Sequence, residues 1–221
     1  MVRLKIAVLG GSFNPPTFAH MGMTGYLLRQ NKADVLLHVP CGFRKDKLNF
    51  ALNKHRLNML RISLKDVFAT DVPLIDTQRL KSLKSINSKI LIDTYELNNF
   101  DSMVPTAYLF DHYEKKYPDV DFHFVIGSDL LDSMNTWEEY DEKLKYKNFI
   151  IFERGAYRIN RETLPQKSEV IYRSTPSYVS STQVRRIISE YRNDSKQIRS
   201  RLERFVSKGT IDYIIEHELY I

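Results

Sequence analysis

Cysteine is almost missing from this sequence: its 221 residues include one, Cys41. That excludes an intrachain disulfide and a cysteine-based zinc site. It suits a reducing compartment, and the expected location is the cytoplasm, with the nucleus also allowed. No apolar run is long enough to cross a bilayer, so no membrane partner is expected. The apolar stretch from Met1 to Leu9 is too short for a signal-peptide core and runs straight into two glycines. It reads as a strand. Internal repeats and low-complexity segments are also absent.

What is present is ordinary globular material. A hydrophobic content of 43% supports one well-buried domain over residues 1–221, with residues 176–221 as its helical C-terminal part. Apolar and aromatic residues are spread along the whole length, which argues against disorder. The formal charge is +6 and the pI about 9.2. A basic protein favours anionic partners, and at this level nucleic acid, a membrane surface and small phosphorylated metabolites all remain open.

Leu4 to Leu9 reads as a buried parallel strand ended by Gly10 and Gly11, followed by a turn at Asn14 to Pro16. A helix is expected from Thr17, its N-cap, to about Gln30, then a strand over Val35–Val39 and a helix from about Asn53 to Val67. Residues 76–89 read as an exposed connection, with a strand near Lys89 to Asp93. Further along come a helix from about Thr106 to Lys116, stopped before Pro118, and strands at Phe122–Ile126, Asn148–Phe152 and near Glu169–Tyr172. Two or three helices follow Ser180. The alternation predicts an α/β fold: a Rossmann-like, doubly wound, mainly parallel sheet with helices on both faces and a helical C-terminal segment. Ligands of such sheets bind beyond the strand carboxyl ends, where the turns at Gly10–Gly11, Gly127–Asp129 and Arg154–Gly155 should converge.

Two stretches carry chemistry. From Gly10 to His20, glycines follow a strand and precede a helix. The glycines allow close approach of a ligand, and the helix start favours phosphate. Thr17 and His20, three residues apart, can face one anion; the alternative is an ordinary strand–helix turn. From Ser180 to Arg185, two serines and a threonine open a helix with an arginine one turn in. This is either a second anion site or simply a capped helix.

Together the two stretches resemble the (H/T)-x-x-H and Ser-Thr-x-x-Arg signatures of the nucleotidyltransferase superfamily. Within it, the sequence resembles the nicotinate/nicotinamide-mononucleotide adenylyltransferases over nearly its whole length. The matching pieces, in order, are Gly10 to His20, Lys45 to Leu48, His55–Arg56 with Met59–Leu60, and Thr106 to Tyr113. They continue through Tyr117–Pro118, Gly127 to Asp129 with Trp137, Arg154–Gly155, Ser180 to Arg185, and Ile211 to Tyr220. Thr17 stands where histidine is frequent and Ala19 where glycine is common. Asn14 replaces an aspartate, as in the eukaryotic branch, and Met103 to Pro105 matches poorly.

The resemblance implies that a mononucleotide phosphate attacks the α-phosphate of ATP and pyrophosphate leaves. That nucleophile is already anionic, so catalysis rests on positioning and charge neutralisation. The absence of a Walker A motif and of a Ser-His-Asp signature agrees. By matching positions, His20 and Arg185 are the implied catalytic residues. The implied ATP-binding residues are Gly11, Ser12, Phe13, Thr17, Gly127, Asp129, Ser180, Ser181 and Thr182. Lys45, Thr106, Trp137 and Arg154 are the implied mononucleotide-binding residues. Mg2+ would arrive with ATP, with no protein-held metal. Partners would be ATP and nicotinate or nicotinamide mononucleotide, without nucleic acid. The rival readings are pantetheine-phosphate adenylyltransferase, disfavoured by chain length and the Thr106 and Trp137 matches, a basic nucleic-acid-binding domain, and a non-catalytic nucleotide sensor.

Overall fold

The structure is a computed structural model that describes residues 3–44, 49–83, 86–155, 157, 159–172 and 178–221. Seven described strands form one all-parallel sheet: β1 (Leu4–Gly11), β2 (Val35–Pro40), β3 (Leu74–Ile75), β4 (Ile90–Asp93), β5 (Val120–Gly127), β6 (Asn148–Phe152) and β7 (Lys167–Ile171). Their order is β3-β4-β2-β1-β5-β6-β7. The chain therefore builds outward from β1 on one side, then returns to build from β5 on the other. The β1–β5 boundary is the topological switch point, where parallel sheets open a ligand crevice.

Alternation along β1 divides the core. Ile6 and Val8 face one layer, where α4 (Thr106–Lys116) contributes Ala107, Leu109, Phe110 and Tyr113. Ala7 and Leu9 face the other, filled by Met21, Met23 and Leu27 of α1 (Phe18–Arg29) and Leu60 and Leu64 of α2 (Asn53–Phe68). Burial on both faces explains why the strands read as continuous apolar runs. A third cluster joins Ala19 and Met59 to α6 (Ser181–Glu190), α7 (Ser195–Leu202) and α8 (Lys208–Glu216). Thus the C-terminal helices pack on α1 and α2. Two short helices, α3 (Tyr95–Asn99) and α5 (Leu131–Met134), complete the set.

One expectation is corrected. Residues 76–89, read as an exposed connection, send Thr77 and Leu83 into the interior. Thr77 is polar yet fully buried, because it donates to both carboxylate oxygens of buried Asp93, from its N–H to Oδ1 at 3.0 Å and from its hydroxyl to Oδ2 at 2.6 Å. Tyr113 Oη adds a third bond to Asp93, at 2.8 Å. A polar sequence can enter a core when its groups satisfy one another. In addition, β1 does not stop before the glycines but carries them as its last residues, with the Cys41 N–H bonded to the Gly11 carbonyl at 2.9 Å.

Candidate active site

A cleft of about 570 Å³ lies at the β1–β5 switch point. Its wall runs from Leu9 to Asn14 on one side and from Val125 to Gly127 with Asp129 and Leu130 on the other, with His20, Arg154, Ser180 to Thr182 and Arg185 closing it. The three strand-end turns do converge there. Gly11, Ser12, Phe13, His20, Gly127, Asp129, Ser180, Ser181, Thr182 and Arg185 are brought together, and Arg154 joins them. Phe13 contributes only backbone, since its ring is buried beneath His20 at a centroid distance of 5.2 Å.

Thr17 is not on the wall. It is buried, and its N–H donates to His20 Nδ1 at 3.0 Å, with its hydroxyl 2.9 Å from the same nitrogen. The expectation that the two side chains face one anion side by side is therefore replaced by a stacked arrangement. The consequence is chemical. An Nδ1 that accepts a backbone N–H bond carries no proton, so the neutral ring holds its proton on Nε2. Thr17 thus presets His20 as an Nε2–H donor.

Helix α6 enters the cleft N-terminus first. Ser180 caps it, accepting from the Gln183 N–H at 3.2 Å, and Ser181 Oγ donates to the Pro15 carbonyl at 2.8 Å. The α6 start is thereby tied to the loop after β1. Arg185 donates to the Asn14 carbonyl at 2.7 Å and to Thr182 Oγ1 at 3.3 Å. Neither partner is charged, and burial lowers the Arg185 pKa below its ordinary value while leaving the guanidinium protonated. Opposite it, Arg154 pairs with Asp129 at 2.9 Å and donates to the Val179 carbonyl at 3.0 Å. The second Asp129 oxygen, Oδ1, is buried and has no hydrogen-bond partner among the described residues. A Cβ at Gly127 would lie 2.6 Å from Arg154 Cδ, so only glycine lets this pair close over the end of β5.

Arg56, whose sequence context suggests a support for the loop, is fully buried and holds the loops in place. It donates to the Ser12 carbonyl at 2.7 Å, the Cys41 carbonyl at 2.6 Å and the Ala51 carbonyl at 3.1 Å. It therefore joins the ends of β1 and β2.

The remaining predicted residues lie apart from this wall. Lys45, with Lys47, falls outside the described residues. Thr106 opens α4 and Trp137 follows α5; both are half-buried, and neither lines the cleft. Tyr108 Oη, in the first turn of α4, donates to Glu138 beside Trp137 at 3.0 Å, linking the two elements. Sequence reasoning missed Glu96, whose buried Oε1 accepts from the Gly42 N–H at 2.8 Å and the Val104 N–H at 2.7 Å. An acidic residue in a buried helix start was the available signal. Among the described residues no group of three or more His, Cys, Asp or Glu could hold a metal ion.

The sequence profile of the cytidylyltransferase-like family matches residues 8–187. A Plasmodium falciparum nicotinic acid mononucleotide adenylyltransferase, complexed with NaAD, superposes with a TM-score of 0.76 at 30% identity, covering 98% of this chain and 97% of its own. The chain belongs to this family, in its nicotinate-mononucleotide adenylyltransferase branch. The same Plasmodium enzyme complexed with APC gives a TM-score of 0.74 at 29% identity, again covering 98% and 97%. A relative from Fusobacterium nucleatum, named a probable nicotinate-nucleotide adenylyltransferase, is 28% identical over 95% of this chain and 100% of its own. The protein is accordingly a nucleotidyltransferase and a nicotinate-nucleotide adenylyltransferase of NAD biosynthesis, as its motifs imply.

Proposed function

We propose that this adenylyltransferase takes ATP and nicotinate mononucleotide as its substrates and works through the cleft at the β1–β5 switch point. A phosphate oxygen of the mononucleotide attacks the α-phosphorus of ATP, the bond from that phosphorus to the β-phosphate bridge breaks, and pyrophosphate leaves. Nicotinamide mononucleotide is the alternative acceptor. The observation that carries the reading is the meeting of a preset His20 Nε2–H donor with the α6 N-terminus and Arg185 on one wall. Relatives complexed with NaAD and APC support it.

His20 donates to the ATP phosphates, and Arg185, with Ser180, Ser181 and Thr182 at the α6 start, stabilises the charge that moves onto pyrophosphate. Because the acceptor is already an anion, no residue need act as a strong base. Gly11, Ser12 and the Phe13 backbone border the nucleotide. Gly127 and Asp129 lie near the adenosine and its ribose, with Gly127 making room for the Arg154–Asp129 pair over the end of β5. Thr17 acts through His20. Lys45 and Arg154 serve the mononucleotide phosphate, and Thr106 and Trp137 the pyridine ring. Mg2+ enters as part of the substrate MgATP, held by phosphates and water. Of the wall residues only Asp129 is a carboxylate, and Arg154 already holds one of its oxygens. The expected compartment is the cytoplasm.

Incubating the protein with MgATP and each mononucleotide, and separating the products by chromatography, tests this. Nicotinate adenine dinucleotide and pyrophosphate are expected. Turnover of phosphopantetheine, with no dinucleotide from either mononucleotide, sinks it.

A further inference from the structure

Residues from the two ends of the chain meet behind Arg185. Asn14, only 2% exposed, uses its side chain in three directions. Its Oδ1 accepts from the Ala51 N–H at 3.0 Å and from Tyr220 Oη at 2.8 Å, while its Nδ2 donates to the Asn49 carbonyl at 3.0 Å. Its main-chain carbonyl is the acceptor for Arg185 Nη1 at 2.7 Å. One residue therefore ties together the arginine, the segment at Asn49 and Ala51, and the C-terminal tail. The tail gives something up to reach it. Tyr220 sits at φ 68°, a left-handed value that is costly for a side-chain-bearing residue, whereas Glu218, at φ 48°, is the usual left-handed residue that ends α8. A backbone held in that region persists only where its surroundings determine it, and such sites cluster near function.

We infer that Tyr220 and Asn14 are positioning residues for Arg185: the tail hydroxyl locks the Asn14 side chain, which fixes the carbonyl that aims the guanidinium into the phosphate cleft. The inference rests on the pyrophosphate role proposed for Arg185. The physical argument is geometric. The three side-chain bonds pin the Asn14 side chain and its Cα, so the chain at Asn14 cannot shift and carry its carbonyl away from Arg185 without breaking the Tyr220, Ala51 and Asn49 bonds. Loss of the phenol hydroxyl removes one of the three and leaves a buried acceptor with one partner fewer. An arginine displaced by even about 1 Å loses much of its worth to the reaction.

The test is a double-mutant cycle between Tyr220→Phe and Arg185→Ala. Its first readout is the affinity of inorganic pyrophosphate for the ligand-free protein, by calorimetry; dinucleotide formation is followed in parallel. Tyr220→Phe should weaken pyrophosphate binding about tenfold and lower kcat by a similar factor, with KM for nicotinate mononucleotide little changed. In the Arg185→Ala background the same substitution should cost nothing further. Equal losses in both backgrounds would mean that Tyr220 only supports the fold, and overturn the relay. So would an undiminished affinity in Tyr220→Phe. Should Tyr220→Phe melt below the assay temperature, Asn14→Leu, near-isosteric but without the three side-chain bonds, is read in the same cycle with the same expected coupling. Pyrophosphate coupling across the cycle, with a wild-type protein that forms no dinucleotide, would leave the relay standing and refute the proposed reaction instead.

Discussion

The end of the site proposed to take phosphate and the end proposed to take the pyridine ring are built in different ways. The phosphate end comes from two contiguous stretches, Gly10 to His20 and Ser180 to Arg185, each a strand or loop feeding a helix N-terminus. Their internal hydrogen bonds, Thr17 to His20 and Ser180 to Gln183, span three residues. The ring end has no such local unit. The elements carrying Thr106 and Trp137, the residues proposed for the ring, are held by contacts across the chain: Tyr108 bonds Glu138 over 30 residues, and Glu96, which accepts from Val104 two residues before Thr106, reaches Gly42 over 54. Phosphate is a symmetrical, highly charged target that a helix start recognises by itself. A flat ring needs surfaces from several elements. The difference predicts that damage to the phosphate end acts on chemistry, whereas damage to the ring end acts on binding and stability.

The largest effect expected is at the phosphate end. His20→Ala and Arg185→Ala should each lower kcat by about 10²–10³-fold, the order of losing one preorganised donor, roughly 2.7–4 kcal/mol. Thermal stability should fall far less than turnover, since each change removes only the local bonds of His20 to Thr17 or of Arg185 to Asn14 and Thr182. Early melting with normal turnover per folded molecule would reverse the comparison and make these residues structural.

Acid should separate the two ends next. His38 lies in the core below Phe13, fully buried, and burial pushes its pKa down from 6.5 to about 4. Its folded value is depressed, so the unfolded chain binds its proton first as pH falls. Stability from this residue is complete above about pH 6.5 and is lost as pH drops toward 4, amounting to about 3 kcal/mol. His112, in α4 and stacked on Tyr95 at 3.7 Å, is also pushed down to about 4 but is half-buried, so its share is smaller. Melts at pH 7 and pH 4.5 measure the sum. His38→Leu should flatten the pH dependence, since Thr24 keeps its bond to the His20 carbonyl at 3.1 Å. An unchanged slope in that variant would place the acid sensitivity elsewhere.

Glu96 sharpens the contrast from the ring side. Glu96→Ala strips the shared acceptor from two N–H groups, and should cost about 2 kcal/mol of stability. It should raise KM for nicotinate mononucleotide several-fold while KM for ATP stays near normal. Glu96→Gln keeps an oxygen acceptor in place and should recover most of both losses. A rise in KM for ATP of equal size would show that Glu96 does not act on the ring end selectively.

Legibility in the sequence follows the same division. Helix α4 was readable to its end because Pro118 forbids continuation, and β6 because its apolar run is bounded on both sides. The two-residue β3 carries no periodic signal, and α3 has little more than one turn. Thr77 was misread because its burial depends on Asp93, sixteen residues away in a different element. The motifs located His20 and Arg185, but not that Thr17 turns inward to set the His20 tautomer, nor that the tail at Tyr220 returns to Asn14. Contacts between distant positions leave no spacing to read.

Trp137 gives the smallest signal and the most direct reading of the ring end. It lies eight residues after Asp129, is the only tryptophan, and packs partly against the core while remaining half-exposed. That partial exposure leaves a face for a ligand, which a fully enclosed anchor would lack. An electron-poor pyridine ring stacked on the indole should quench its emission. Because no other tryptophan contributes, the change is assigned without mutagenesis. Titration with the dinucleotide should quench the signal to saturation, and a non-hydrolysable ATP analogue should alter it much less, since its adenosine and phosphates belong to the other end. Trp137→Ala supplies the energetic counterpart: weaker mononucleotide binding in a protein that still folds, with a stability loss below the roughly 3–5 kcal/mol of a fully buried aromatic. Equal quenching by both ligands, or none by a dinucleotide that calorimetry shows to bind, would remove Trp137 from the ring end and leave that half of the site to Thr106 and the loops that Glu96 holds.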